Sequence, residues 1–146
     1  MTKAVRIIGI GSPVAGDEIA IQLVRQLRRD ALWQKREEIE WLELERPGAA
    51  LLHYFAGVET LCLIDTLKSG VHSGIVRLQT EDLLGEEAAI SSHHFGLAEA
   101  LHLATALGQL PPRLLIYGVV PSADNERTLS AMLQHDLVTE SAVLPS

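Results

Sequence analysis

Cysteine is almost absent from this sequence: Cys62 stands alone among 146 residues. One cysteine excludes an intramolecular disulfide and any multi-cysteine zinc or iron–sulfur site, and it suits a reducing compartment. An excess of basic residues is lacking too. Twelve Lys and Arg against 19 Asp and Glu leave a formal charge of −7 and a pI of about 5.3. Such a surface repels a polyanion, so nucleic acid is not expected as a partner. No stretch approaches the ~18 consecutive apolar residues of a membrane span. The start, Met1-Thr2-Lys3-Ala4, runs into a short apolar stretch containing Arg6 and lacks the long apolar core and cleavage site of a signal peptide. We therefore expect a cytoplasmic protein, free of the membrane and acting as a monomer. Internal repeats and low-complexity segments are missing as well.

What is present describes a folded chain. Hydrophobic residues make up 47% and charged residues 21%, and the length suits one hydrophobic core, so a single domain over residues 1–146 is expected. Residues 5–10 form an apolar run ended by Gly11, Ser12 and Pro13, the pattern of a strand buried on both faces. Ala20, Leu23, Val24 and Leu27 then recur at helical spacing, with Arg25, Arg28 and Arg29 off the stripe and Asp17 placed as the N-cap. Residues 39–44 read as a second strand, and Arg46-Pro47-Gly48 breaks the chain before a short helix over 49–55. A third strand, 61–64, is closed by Asp65, and Gly74–Leu78 alternates as a strand nearer the edge would. The stretch 80–87 is acidic and irregular. Ser91-Ser92 introduces a helix with Leu97, Leu101 and Ala104 on its apolar face, residues 114–120 form a last core strand, and 128–138 a final helix. This alternation predicts an α/β fold, a three-layer αβα domain with a mostly parallel central sheet.

The first strand–helix junction, Gly9-Ile10-Gly11-Ser12-Pro13-Val14-Ala15-Gly16-Asp17-Glu18, occupies the place of a phosphate-binding turn but has the wrong spacing for one. Two carboxylates at a helix's positive end repel phosphate and attract a cation. Equally open is a purely structural reading in which Asp17 caps the helix and Glu18 complements its dipole. Asp65 ends an apolar run at the carboxyl end of what should be a central strand, where ligand crevices of open α/β sheets lie. Its plain alternative is a turn cap, with Thr66, Lys68 or Ser69 nearby. Of six histidines, His93 and His94 stand at the head of a predicted helix and can reach the same edge. His53 and His102, within helices, and His72 and His135, in polar surroundings, read as packed or solvent-facing. Two acids and one imidazole suit a divalent transition ion such as nickel, manganese, iron or zinc, and are too few for a closed structural zinc site. No HExxH helix, GxSxG elbow or cysteine nucleophile is present, and Cys62 reads as a small buried hydrophobe.

Taken together, Gly9-Ile10-Gly11-Ser12 through Asp17-Glu18, the strand ending in Asp65, Ile90-Ser91-Ser92-His93-His94-Phe95-Gly96-Leu97, and Tyr117-Gly118-Val119-Val120-Pro121 resemble the hydrogenase maturation endopeptidases, in order and over nearly the whole chain. That family removes a C-terminal extension from the large-subunit precursor of nickel–iron hydrogenases once nickel has been inserted. The resemblance implies Glu18, Asp65 and His93 as both catalytic and metal-contacting residues, with His94 a neighbour. It also implies nickel carried by the substrate in place of a permanently bound metal, and the large-subunit precursor as partner. Departures are visible. Ser12 replaces a frequent asparagine, and Ile21 a frequent glycine. Glu43-Leu44-Glu45-Arg46-Pro47-Gly48 stands where many members carry Asp-Gly-Gly-Thr-x-Gly, a segment linked to substrate choice. Glu43 and Gly48 accordingly enter as substrate-binding candidates. Rival readings are a nickel-binding accessory protein without peptidase activity, a phosphate- or nucleoside-binding α/β protein, and a related protease acting on another substrate.

Overall fold

The computed structural model describes residues 4–12, 18–67, 74–80 and 97–143, the side chains of 139–143 excepted. Within these residues lie β1 (Val5–Gly11), β2 (Ile39–Glu45), β3 (Thr60–Thr66), β4 (Gly74–Leu78) and β5 (Arg113–Val120). They form one sheet in the order β2-β1-β3-β5-β4. β1 runs parallel to β2 and to β3, and β3 parallel to β5; β4 lies antiparallel on β5 at the edge. The expected α/β class and mostly parallel sheet are what the structure has, and Gly74–Leu78 is indeed an edge strand.

Two layers of helix cover the sheet. On one face α1 (Ile19–Arg29) and α4 (Asn125–Val143) pack Val24, Leu27 and Leu133 over Ile7, Ile64 and Tyr117. On the other, a 3-10 segment (Gly48–Tyr54) and α3 (Leu97–Leu107) bring Leu51 and Leu101 onto Ile8, Ile10 and Leu63. Strands covered on both sides need apolar residues at every position, not alternate ones. β3, the middle strand, is accordingly buried along all seven residues. A four-residue α2 (Ala31–Gln34), absent from the sequence expectation, turns the chain back toward β2; Asp30 caps it, its Oδ1 accepting from the Leu32 amide at 2.8 Å.

Arginines tie the amino edge of the sheet. Arg6 donates to Glu40 at 2.5 Å and to the carbonyls of Tyr54 and Ala56 at 2.8 and 2.9 Å. Buried Arg113 donates to Thr60 Oγ1 at 2.8 Å. Toward the other end of the strands lie the carboxylates Glu43 and Glu45 on β2 and Asp65 on β3, with Arg77 of β4 level with Glu43 across the sheet.

Candidate active site at the carboxyl edge

Strand order fixes where a ligand crevice can open. From β1 the chain crosses to β2 on one side, while β3 takes the other, so the connections diverge between β1 and β3 and leave a gap above their carboxyl ends. Both expected carboxylates lie on elements that end or begin at this edge. Asp65 is the penultimate residue of β3, fully buried, in register with Ile10 on β1 and Gly118 on β5. It therefore lies inside the strand, which continues one residue beyond it. Side chains alternate along a strand, so Asp65 shares a face with Leu61 and Leu63, on the side of α3. Gly118 leaves space beside it, closed by Leu67: a Cβ at 118 would come within 2.5 Å of Leu67 Cδ1.

Glu18 occupies the N-cap position of α1, half-buried, its carbonyl accepting from the Gln22 amide at 2.9 Å. This differs from the expected cap at Asp17, which lies outside the described residues. The Glu18 side chain makes no capping hydrogen bond, because its extra methylene carries the carboxylate past the short reach of Asp, Ser or Thr. An acceptor arrives instead from the sheet: Thr66 Oγ1 takes the Ala20 amide at 3.2 Å, across 46 residues of sequence. Sequence reasoning saw Thr66 only as part of a turn. A contact spanning that distance leaves no local signal. The phosphate-binding reading weakens here, since a first-turn donor is already taken and Glu18 brings negative charge to the same end.

Gly9 lets α1 approach this closely. A Cβ there would stand 2.8 Å from Val24 Cγ2 and 2.9 Å from the Ala20 carbonyl oxygen, so the helix lies almost directly on the β1 backbone. Glu43, beside Gly9 in register, accepts from Arg25 Nη2 at 2.6 Å and pairs with Arg28 at 3.8 Å. The Arg25 guanidinium is held above its ordinary pKa, mostly through that hydrogen bond and the Glu43 charge, with Glu18 and Glu45 adding weaker pulls. The Arg46 amide donates to the Gly11 carbonyl at 2.9 Å, joining the loops after β2 and β1. Gly48 has φ +56 with nothing near its missing Cβ, so glycine serves the backbone angle there.

His93 and His94 lie outside the described residues, as does His72. His53, His102 and His135 are exposed, as their sequence contexts imply, and Cys62 is a buried free thiol. Among the described residues no three His, Cys, Asp or Glu side chains gather as a metal-holding group. No helix of the described residues is long and apolar enough to cross a membrane.

An open α/β sheet with an acid-bearing switch point defines a class of ligand-binding and catalytic folds, and comparison with known proteins narrows it. The model of the hydrogenase maturation protease family HycI matches residues 21–139, and the chain belongs to that family. The hydrogenase expression/formation protein HupD of Thiocapsa roseopersicina is 28% identical over 120 residues, covering 79% of this chain and 53% of that protein. The chain thus spans about half the length of that curated relative. Among solved structures, the hydrogenase maturating endopeptidase HybD from E. coli superposes with a TM-score of 0.67 at 21% identity, covering 95% of this chain and 93% of the other. The nickel–iron hydrogenase maturation protease HycI from Thermococcus kodakarensis gives 0.66 at 18% identity, with 91% and 92% covered. At these identities the likeness establishes a shared fold.

Proposed function

We propose that this chain is a cytoplasmic, monomeric endopeptidase of one domain that removes the C-terminal extension of a nickel-loaded hydrogenase large-subunit precursor. What supports the proposal is the position of Glu18 at the head of α1 and of Asp65 near the carboxyl end of β3, on the elements that flank the strand-order switch, in a chain of this family. In this reading Glu18, Asp65 and His93 supply two carboxylates and an imidazole to the nickel that the precursor brings, a donor set suited to a divalent transition ion with positions left open. Holding that ion orients the scissile bond beside it, and orientation alone supplies a large part of a hydrolytic rate enhancement. A cleft of about 290 Å³ between Ile19, Gln22 and Leu23 of α1 and Pro121 and Ser122 after β5 offers room for substrate chain along the first turns of α1. Gly48 belongs to the rim the precursor touches. Glu43 is paired with Arg25 of α1, and its substrate role is indirect.

Mixing the purified protein with nickel-loaded precursor and following the mass of the precursor tests the proposal. Wild type should release the extension. Glu18→Gln keeps size and hydrogen-bonding capacity but loses the charge that holds a cation, so it should fold and fail to cut. His93→Ala should fail in the same way, while His94→Ala should keep most activity. Full cleavage by folded Glu18→Gln, or loss confined to the His94 variant, contradicts the assigned roles.

A further inference from the structure

The first turn of any α-helix presents amides with no intrahelical acceptor, and a side chain at the N-cap ordinarily supplies one. α1 does not follow that arrangement. Glu18 holds the N-cap position without a side-chain capping bond, and the Ala20 amide is satisfied by Thr66 Oγ1 at 3.2 Å. Thr66 is 2% exposed and is the residue immediately after Asp65. As a β-branched residue in a strand it is stiff at χ1, so its hydroxyl has a well-defined position. One hydroxyl thereby joins the chain segment bearing Glu18 to the segment bearing Asp65, from the opposite face of β3.

We propose that Thr66 is a positioning residue for the cleavage reaction: by capping α1 from β3 it releases the Glu18 carboxylate from capping and fixes its spacing from Asp65. This inference rests on the function proposed above. Without the Thr66 acceptor, the Ala20 amide must seek another partner and the helix start shifts by a fraction of a turn. A displacement of about 1 Å in a catalytic group lowers rates by roughly a hundredfold. The precursor's other contacts are untouched, so the loss falls on kcat and leaves KM nearly unchanged.

The variants are Thr66→Val, which keeps the shape and removes the acceptor, and Thr66→Ser, which keeps the acceptor. Ser130→Ala is the control. It removes a hydrogen bond of similar kind from Trp33 Nε1, 2.9 Å long and remote from Glu18 in the fold. Each is measured for kcat and KM on nickel-loaded precursor, for unfolding midpoint in urea, and for hydrogen exchange at the Ala20 amide. Thr66→Val should lose roughly tenfold or more in kcat with KM nearly constant and faster Ala20 exchange, Thr66→Ser should restore both, and Ser130→Ala should keep kcat. Unchanged kcat in Thr66→Val overturns the proposal, as does a fall matched by an equally destabilised Ser130→Ala. If wild type leaves the precursor uncut, the proposed function fails separately, and titration with nickel ion alone then decides. Weaker uptake by Thr66→Val than by wild type and Thr66→Ser supports the positioning role; equal uptake, or none by wild type, overturns it.

Discussion

Gly9 on β1 and Gly118 on β5 flank the central strand β3 from either side and both lack a side chain for reasons of space, yet they should respond differently to a methyl group. At Gly9 the new carbon would meet the Ala20 carbonyl oxygen at 2.9 Å and Val24 Cγ2 at 2.8 Å. A helix backbone yields only by moving the whole helix. Gly9→Ala should therefore destabilise by about 1–3 kcal/mol, the usual cost of overpacking, and reduce cleavage because the first turn carrying Glu18 moves with it. At Gly118 the three atoms nearest the new carbon all belong to the Leu67 side chain, which follows the end of β3 and has other rotamers. Gly118→Ala should cost less. Urea unfolding of both variants checks the order, and a larger loss in Gly118→Ala would refute it. At this scale the sequence was legible where chemistry is local. An acid ending an apolar run identified Asp65 and its place on a central strand. Gly9 fell within the expected first strand, but its purpose was hidden, because it is set by Ala20 and Val24, which pack on it only in the fold. The role of Thr66 was hidden for the same reason.

Elements with a long periodic stripe were legible, and those held by contacts between distant residues were not. α1 follows its predicted stripe, with Ala20, Leu23, Val24 and Leu27 buried. α4, by contrast, begins at Asn125 and ends at Val143, several residues beyond the expected 128–138 at each end. Its start is fastened by the buried Asn125, whose Nδ2 donates to the Val120 carbonyl at 2.9 Å. Farther along, Tyr117 Oη donates to Asp136 Oδ2 at 2.6 Å, and Arg77 of β4 pairs with the same oxygen at 3.3 Å while lying over the Tyr117 ring. This network joins β5, the edge strand and α4. Burial, then the hydrogen bond to Asp136, raises the Tyr117 phenol far above its ordinary pKa, so the folded protein keeps it neutral where the unfolded chain would ionise it. The associated stability is fully present below about pH 10, the unfolded value, and falls as pH rises beyond it, at up to ~1.4 kcal/mol per pH unit. Tyr117→Phe should lose roughly 1–2 kcal/mol at neutral pH through the missing hydrogen bond, yet show a flatter decline above pH 10. Urea midpoints measured from pH 7 to 11 test this; parallel curves for wild type and variant would show that Tyr117 is not the group responsible.

Across the whole molecule, charge and topology point the same way. Arginines secure the amino edge, and the switch point at the carboxyl edge receives Asp65 and the Glu18 end of α1. Alternating strands and helices made the fold class legible, while sheet order, which creates the switch point between β1 and β3, depends on pairings between distant segments that periodicity does not encode. From the proposed donor set follows a gate on the reaction. Two carboxylates and one imidazole do not close a tetrahedral site, so the isolated protein should take up nickel weakly and lose it readily, and the ion that completes the site should be the one carried by the precursor. Wild-type protein treated with a chelator and then freed of it should still cut nickel-loaded precursor at an unchanged rate. Precursor lacking nickel should remain intact, because without the ion nothing ties its scissile bond to Glu18, Asp65 and His93. Mass spectrometry of the four combinations of treated or untreated protein with loaded or unloaded precursor separates the sources of metal. Cleavage of the nickel-free precursor would remove the gate, and activity lost on chelator treatment of the protein would place the working metal on this chain instead of on its substrate.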